Sequence, residues 1–135
     1  IFLDPYPAIL WSVVDYWRVP KRSYYAMRMA FSPQYAFCLF PPRAYALGEA
    51  VELPLYVVND AQHTVGGVRL TARLRDPSGA LIAETTRTLD LPPDCPPVEV
   101  DRLRLTSTMP GRYALDLELT GVAHEVRQVY EIEVG

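Results

Sequence analysis

The sequence predicts a mainly β protein: an immunoglobulin-like antiparallel β-sandwich of about seven strands, preceded by a short extended segment and one α-helix. Three observations support this prediction. Apolar residues alternate with polar ones in several stretches after Gln34, turn sequences separate these stretches, and the residues before Pro33 follow no such alternation. The chain has 135 residues. This length fits one sandwich of roughly 100 residues and a remainder, but not a (β/α)8 barrel of about 250 residues.

The composition excludes several classes of protein. Half of the residues are hydrophobic and 21% are charged, which excludes an intrinsically disordered chain. The net charge of −3 argues against a nucleic-acid partner, since such proteins usually carry a basic face. No apolar run approaches the 18 or so residues of a membrane-spanning helix. We therefore expect a folded domain with neither a nucleic-acid nor a membrane partner.

The cysteines and histidines predict neither a disulfide framework nor a metal site. Cys38 and Cys95 are far apart and form no Cys-x-x-Cys motif, which favours two free thiols in a reducing compartment such as the cytoplasm. With His63 and His124 they make four potential ligands, but the spacing between them is not typical of zinc sites. We expect no metal and no other cofactor.

Residues 1–33 form the first predicted unit. The apolar run over residues 8–14 is typical of a strand buried on both faces or of a buried helical segment. We interpret it as a strand whose neighbours lie upstream, because no further strand–helix unit follows. Pro20 suits the first turn of a helix, and the apolar spacing predicts a helix over residues 20–32. Its apolar face consists of Tyr24, Met27 and Phe31.

The first unit is also dense in aromatic residues. These side chains either stack on sugar rings or belong to the core of a larger domain. The second interpretation is favoured because both tryptophans lie in an apolar context. Without the rest of that domain, residues 1–31 are either disordered, folded back on the sandwich or self-associated with a second copy. The six aromatic residues are Tyr6, Trp11, Tyr16, Trp17, Tyr24 and Tyr25.

Residues 34–135 form the second predicted unit, the sandwich. Period-two alternation predicts strands around residues 51–57, 68–74, 81–89, 113–119 and 126–134. The apolar phase of the strand near residue 100 changes along its length, which predicts a β-bulge near Asp101–Arg102.

Turn chemistry adds two local predictions in the sandwich. The sequence Asp76-Pro77-Ser78-Gly79 predicts a tight turn. Tyr113, after Gly111-Arg112, either forms a tyrosine corner, in which its hydroxyl bonds back to the backbone, or only packs in the core.

No residue pattern predicts catalysis by this chain. The sandwich acids, such as Glu52, Asp116 and Glu131, occupy alternating outward positions, as on a solvated sheet. No nucleophile elbow and no phosphate-binding loop is present. A carbohydrate-binding module would need a row of exposed aromatic side chains, and a protein-interaction module would use an open sheet edge. The aromatic candidates are Tyr56, Tyr113 and Tyr130, of which the last two share the core phase.

Residues 2–16 carry a family likeness. They read Phe-Leu-Asp-Pro-Tyr-Pro-Ala-Ile-Leu-Trp-Ser-Val-Val-Asp-Tyr, and Pro20-Lys21 and Tyr24-Tyr25-Ala26-Met27-Arg28 follow. This pattern resembles the end of the catalytic barrel in glycoside hydrolase family 2, most of all its β-mannosidase and exo-glucosaminidase branch. The resemblance implies that residues 1–33 are the last strand and helix of a (β/α)8 barrel. It also implies that residues 34–135 are the immunoglobulin-like accessory domain that follows the barrel.

The same resemblance implies a function. The parent enzyme would hydrolyse β-glycosidic bonds of a carbohydrate substrate with retention of configuration. Its two catalytic glutamates would lie upstream, so this chain would be inactive, and its partner would be the catalytic barrel of the same polypeptide. Asp4, Tyr6 and Trp11 would line the substrate site only in the intact parent. Leu3 and Tyr6 depart from the family pattern, which has asparagine and tryptophan there.

Overall fold

The computed structural model describes residue 3 and residues 12–135 of the chain. Its fold is mainly β, with seven strands in two antiparallel sheets and one α-helix, so the predicted fold class is confirmed. The chain divides into two compact units, Ile1–Ser32 and Pro33–Gly135. The helix lies in the first unit and all seven strands lie in the second.

The helix α1 spans Arg22–Ala30 and is therefore shorter than the predicted range of 20–32. Pro20 does not open its first turn. Pro20 instead forms an isolated antiparallel bridge with Val14, and Lys21 is the extended N-cap residue, with φ −76° and ψ 166°. At the other end Phe31 is the C-cap residue, and the Ser32 hydroxyl donates to the carbonyl of Arg28 at 3.2 Å. The helix ends before Pro33, because the residue that precedes a proline disfavours the helical conformation.

The predicted strand over residues 8–14 falls mostly outside the described residues. Of its described part, Val14 makes two isolated bridges, a parallel one to Leu3 and an antiparallel one to Pro20. Ser12, Val13 and Val14 are buried. With Ser32, they are the buried residues of the first unit within the described range.

The second unit is a three-plus-four sandwich. One sheet has the order β1-β2-β5 and the other has the order β4-β3-β6-β7. Every pairing between neighbouring strands is antiparallel. The strands are β1 Gln34–Cys38, β2 Ala50–Asn59, β3 Val65–Arg75, β4 Leu81–Leu91, β5 Cys95–Thr106, β6 Gly111–Thr120 and β7 Val126–Val134.

A tight turn decides which sheet β4 joins. The carboxylate of Asp76 accepts hydrogen bonds from the backbone N–H groups of Ser78 and Ala80 at 2.9 and 3.0 Å. Gly79 has a φ of 87°, a left-handed conformation that favours glycine. This predicted turn makes β3 and β4 a hairpin, so β4 extends the sheet of β3 and does not pair with β5.

Alternate residues of each sheet face the core between the two layers. One cluster of almost fully buried side chains joins the two sheets. It contains Leu53 and Leu55 of β2, Leu70 and Leu74 of β3, and Leu115, Leu117 and Leu119 of β6. Each such aliphatic side chain contributes about 1.5–3 kcal/mol when it is fully buried. The second unit thus carries a hydrophobic core of its own.

The structure confirms the predicted bulge and decides between the two alternatives for Tyr113. The bulge in β5 lies at Val100, directly before the predicted Asp101–Arg102, since Leu55 pairs with Asp101 and Tyr56 pairs with Glu99. Tyr113, only 1% exposed, forms the tyrosine corner. Its hydroxyl donates to the carbonyl of Met109 at 3.0 Å and accepts from that residue's N–H at 3.3 Å.

Candidate functional site

The three side chains expected to line a substrate site, Asp4, Tyr6 and Trp11, lie outside the described residues. The prediction about them therefore stays a prediction. Four aromatic residues of the same cluster are described and form two edge-to-face pairs. The ring centroids of Tyr16 and Trp17 are 5.7 Å apart, and those of Tyr24 and Tyr25 are 5.4 Å apart.

The apolar face of α1 is uncovered. No residue of α1 is buried, Met27 is 41% exposed and Phe31, which follows the helix, is 79% exposed. With Tyr24 and Arg28, these two residues line a shallow groove of about 260 Å³. The predicted helical spacing is correct, but the face that it produces has no covering element among the described residues.

Three aromatic side chains lie on the outer face of the β1-β2-β5 sheet. We call Tyr35, Phe37 and Tyr56 the aromatic strip. The Phe37 and Tyr56 rings are 5.3 Å apart with planes 17° from parallel, and the Tyr35 and Phe37 rings are 6.3 Å apart at 29°. Phe37 and Tyr56 are direct cross-strand partners. Such pairs stabilise a sheet by roughly 0.2–1 kcal/mol.

Sequence reasoning missed two members of this strip. Tyr56 was a candidate, but Tyr35 and Phe37 stand in the mostly apolar stretch Tyr-Ala-Phe-Cys-Leu-Phe, where a strand's two faces are hard to tell apart. The burial of β1 alternates, with Ala36 and Cys38 inward and the two aromatic residues half-exposed. The usable signal was the spacing of two between the aromatic residues.

The geometry of the aromatic strip limits what it can bind. In offset stacking, each ring covers part of its neighbour's face. All three side chains are only partly exposed. At the border of the strip, Glu99 pairs with Arg102 at 2.8 Å, and this hydrogen bond is the main reason that the pKa of Glu99 lies below its ordinary value. The ring faces that a sugar would stack on are thus partly used within the sheet.

A cleft of about 520 Å³ lies beside β1 and β7. Phe40 and Tyr130 meet edge to face in it, with ring centroids 5.9 Å apart. The Tyr130 hydroxyl accepts a hydrogen bond from the backbone N–H of Cys38 at 3.3 Å. The Gln128 amide donates to the carbonyl of Ala36. Two side chains of β7 thereby satisfy backbone groups of β1, which covers part of that strand's edge.

The cleft holds no activated nucleophile. Burial raises the pKa of the Cys38 thiol to about 12, so the sulfur stays protonated at neutral pH. Burial also raises the pKa of Tyr130.

The charged residues at the cleft are already paired. Arg43 forms an ion pair with Glu49, and its guanidinium carbon lies 4.1 Å from the centre of the Tyr45 ring. Glu131 and Glu133 both pair with Arg112, at 3.4 and 3.3 Å. These pairs leave no convergent set of acids in the cleft.

The remaining acids behave as predicted for a solvated sheet. On the outer face of the four-stranded sheet, Arg73 pairs with Glu84 at 2.9 Å and with Glu118 at 3.3 Å, while Arg127 pairs with Asp116 at 2.6 Å. The described part of the chain contains no group of three acids, histidines or cysteines that could hold a metal ion. No helix within residues 12–135 is long and apolar enough to span a membrane.

A buried polar cluster fastens one end of the sandwich. Asn59 is fully buried, and its carbonyl oxygen accepts from the Gln34 amide at 2.8 Å. Its amide donates to the carbonyls of Pro92 and His63 at 2.8 and 3.1 Å. This residue joins two strands and two loops, so we assign it a structural role.

Comparison with solved structures finds the same fold in enzymes and in a separate β module. The exo-β-D-glucosaminidase CsxA, also solved as the exo-chitosanase of Amycolatopsis orientalis, matches 98% of this chain at 20% identity, with a TM-score of 0.71. This chain spans only 15% of that enzyme's length.

Two other solved structures match a smaller part of this chain. The CARDB domain of PF1109 from Pyrococcus furiosus matches 76% of this chain and 94% of its own, at 15% identity and a TM-score of 0.58. A β-glucosidase from Listeria innocua matches 78% of this chain and 16% of its own, at 17% identity and a TM-score of 0.52. No protein-family model and no curated protein matches the chain. The comparisons therefore show the fold.

Proposed function

We propose that this chain is a non-catalytic accessory segment of a family 2 glycoside hydrolase of the β-mannosidase and exo-glucosaminidase type. In this proposal residues 1–33 complete the catalytic barrel, and residues 34–135 form the sandwich that follows it. The parent enzyme cleaves β-glycosidic bonds with retention, using two glutamates that lie upstream of residue 1. Asp4, Tyr6 and Trp11 line its carbohydrate site.

One observation carries the proposal. The match to exo-β-D-glucosaminidase, a family 2 enzyme, covers 98% of this chain and so includes the first unit. The match to the CARDB domain covers 76%, about the share that residues 33–135 make up. A sandwich alone has several relatives in structure, but the match to the glucosaminidase also takes in the first unit with α1. That is the segment in which the sequence resembles the end of the barrel.

The exposure pattern supports the same proposal. Trp17, Val19 and Phe31 are 68%, 57% and 79% exposed, which is unusual for side chains of this size in a stable unit. In the parent enzyme these side chains would be covered by the rest of the barrel.

Two measurements test the proposal. The isolated chain should not hydrolyse p-nitrophenyl β-D-mannoside or β-D-glucosaminide, whereas the longer polypeptide encoded by the same gene should hydrolyse one of them. In that polypeptide a glutamate at the end of a barrel strand should be essential, and its change to glutamine is the control. Turnover by the isolated chain would contradict the proposal, as would an upstream sequence that encodes no barrel.

A carbohydrate-binding module is the second candidate, and the aromatic strip is the observation that favours it. Isothermal titration with mannan or chitosan oligosaccharides tests this candidate. The partial covering of the ring faces predicts no measurable heat. Binding that disappears in Tyr56→Ala but not in the outward Glu52→Ala of the same strand would favour the module instead.

A further inference from the structure

Strand β7 is an edge of the four-stranded sheet, and part of its outer side is open. Tyr45 lies in the connection between β1 and β2, which we call the Tyr45 segment, and it pairs with the end of β7. The Tyr45 N–H donates to the Glu133 carbonyl at 2.9 Å, and the Gly135 N–H donates to the Tyr45 carbonyl at 3.0 Å. The strand begins at Val126. Over Val126–Ile132 the only strand that pairs with β7, in the part of the chain that the structure describes, is β6.

The direction of the open backbone groups follows from the Tyr45 contact. Because the Glu133 carbonyl points away from β6, the backbone groups of every second residue before it do the same. Arg127, Val129 and Glu131 therefore direct their N–H and C=O groups outward from the sheet. The side chains of these three residues lie on the outer face, and Val129 is 59% exposed.

The open stretch is symmetric about Val129. When a second copy approaches antiparallel and Val129 meets its own equivalent, Val126 lies opposite Ile132 of the second copy. This register uses the whole open edge. The paired stretch ends at Ile132, one residue before Glu133, whose carbonyl already accepts a hydrogen bond from Tyr45. Each outward-directed residue then finds a hydrogen-bonded partner across the twofold axis.

The side chains match in the same register. Arg127 lies opposite Glu131 of the second copy, and Glu131 lies opposite its Arg127, so both cross-strand pairs have opposite charges. Val129 meets Val129, which covers an exposed apolar side chain. A shift of two residues one way places Glu131 opposite Glu125, and a shift the other way needs the outward carbonyl of Glu133, which already accepts from the Tyr45 N–H.

We propose that β7 is a self-complementary edge that joins two copies of this chain into one continuous antiparallel sheet. The occupant of the edge is a second copy in the register centred on Val129. The edge of β1 offers no such site at Ala36 and Cys38, because Gln128 and Tyr130 already bond to it. The proposal does not depend on the glycosidase assignment.

Charge reversal tests the register in the full chain. Sedimentation equilibrium should show a dimer for the unaltered protein. Arg127→Glu and Glu131→Arg should each weaken it about tenfold or more, because each places two like-charged pairs across the axis. An equimolar mixture of the two variants should regain the dimer, since every cross-strand pair between one variant and the other again joins an acid to an arginine. Association through residues 1–31 would not respond in this way.

Glu133→Arg is the matched control. It makes the same charge change at another residue that pairs with Arg112, but outside the open edge, so the dimer should persist. Far-UV circular dichroism checks that each variant is folded. If a reversal variant loses its β-sheet signal, Val129→Lys replaces it, because this exposed position then brings two lysines together at the axis.

Three results would overturn the proposal. The first is an unaltered protein that stays monomeric at millimolar concentration. The second is a dimer that tolerates both single reversals or Val129→Lys. The third is a mixture of the two reversal variants that stays monomeric.

Discussion

The two units of this chain handle their apolar residues in opposite ways. In the sandwich, alternate residues of both sheets meet in one core, and Leu53 and Leu117 are almost fully buried. In the first unit Trp17 and Phe31 are largely exposed, and α1 buries no residue. Similar hydrophobicity in a sequence thus gives a closed core in one unit and an uncovered surface in the other. In the function proposed above, the rest of the barrel would cover these exposed side chains of the first unit.

The largest expected contrast comes from truncating one large apolar side chain in each unit. Leu117→Ala should lower the free energy of unfolding of the sandwich by about 2–5 kcal/mol, because it leaves a cavity in a closed core. Met27→Ala should change it by less than about 0.5 kcal/mol, because Met27 is 41% exposed. Urea unfolding followed by circular dichroism measures both. Equal losses would mean that the two units unfold as one packed body.

The buried polar cluster should give the next largest effect. Asn59→Leu keeps the approximate size of the side chain but leaves the Gln34 amide and the Pro92 carbonyl without their partner. We expect a loss of about 2–4 kcal/mol in the same unfolding experiment. Asp60→Ala, at the exposed neighbouring residue, is the control and should be nearly neutral. A neutral Asn59→Leu would show that packing alone holds this end of the sandwich.

The next pair of variants removes one tyrosine hydroxyl from each unit. Tyr113→Phe should cost about 1–2 kcal/mol, since the hydrogen bonds to the Met109 backbone are lost inside the core. Tyr16→Phe in the first unit is the matched control, and because Tyr16 is 46% exposed it should change the melting temperature by about 1 °C or less. If Tyr113→Phe proves equally silent, the corner does not contribute to stability.

The smallest effect on stability is expected for a variant that removes exposed apolar surface from the first unit. Phe31→Ser should leave unfolding of the sandwich unchanged but lower the binding of the dye 1-anilinonaphthalene-8-sulfonate, which reports exposed apolar surface. Val98→Ser, at a 43% exposed residue of β5, is the control. An equal decrease of dye binding in both variants would show that the first unit offers the dye no more apolar surface than the sandwich does.

Particular residues show how far sequence reasoning reached. The alternation of Val68, Leu70 and Leu74 predicted a half-buried strand because the side-chain period of a strand is two. The phase change near Asp101 predicted the bulge, since an extra residue is needed to keep both halves of β5 facing inward. The helix was predicted in the right place but too long, because Pro20 was assigned to its first turn and instead pairs with Val14.

The aromatic strip and the open edge of β7 were beyond that reasoning. Tyr35, Phe37 and Tyr56 meet only because β1 and β2 pair in one particular register, which no local pattern encodes. The symmetry of the edge about Val129 likewise depends on where the distant Tyr45 segment bonds to β7.

By itself, the sequence determined the local structure of this protein: the strand periods, the Asp76–Gly79 turn and the helical spacing, because these depend on steric and hydrophobic preferences of neighbouring residues. The tertiary structure alone decided that β5 pairs with β2, which rings touch and which strand edge stays open. These properties depend on the pairing of residues that are far apart in sequence, and that pairing is selected by the packing of the whole core.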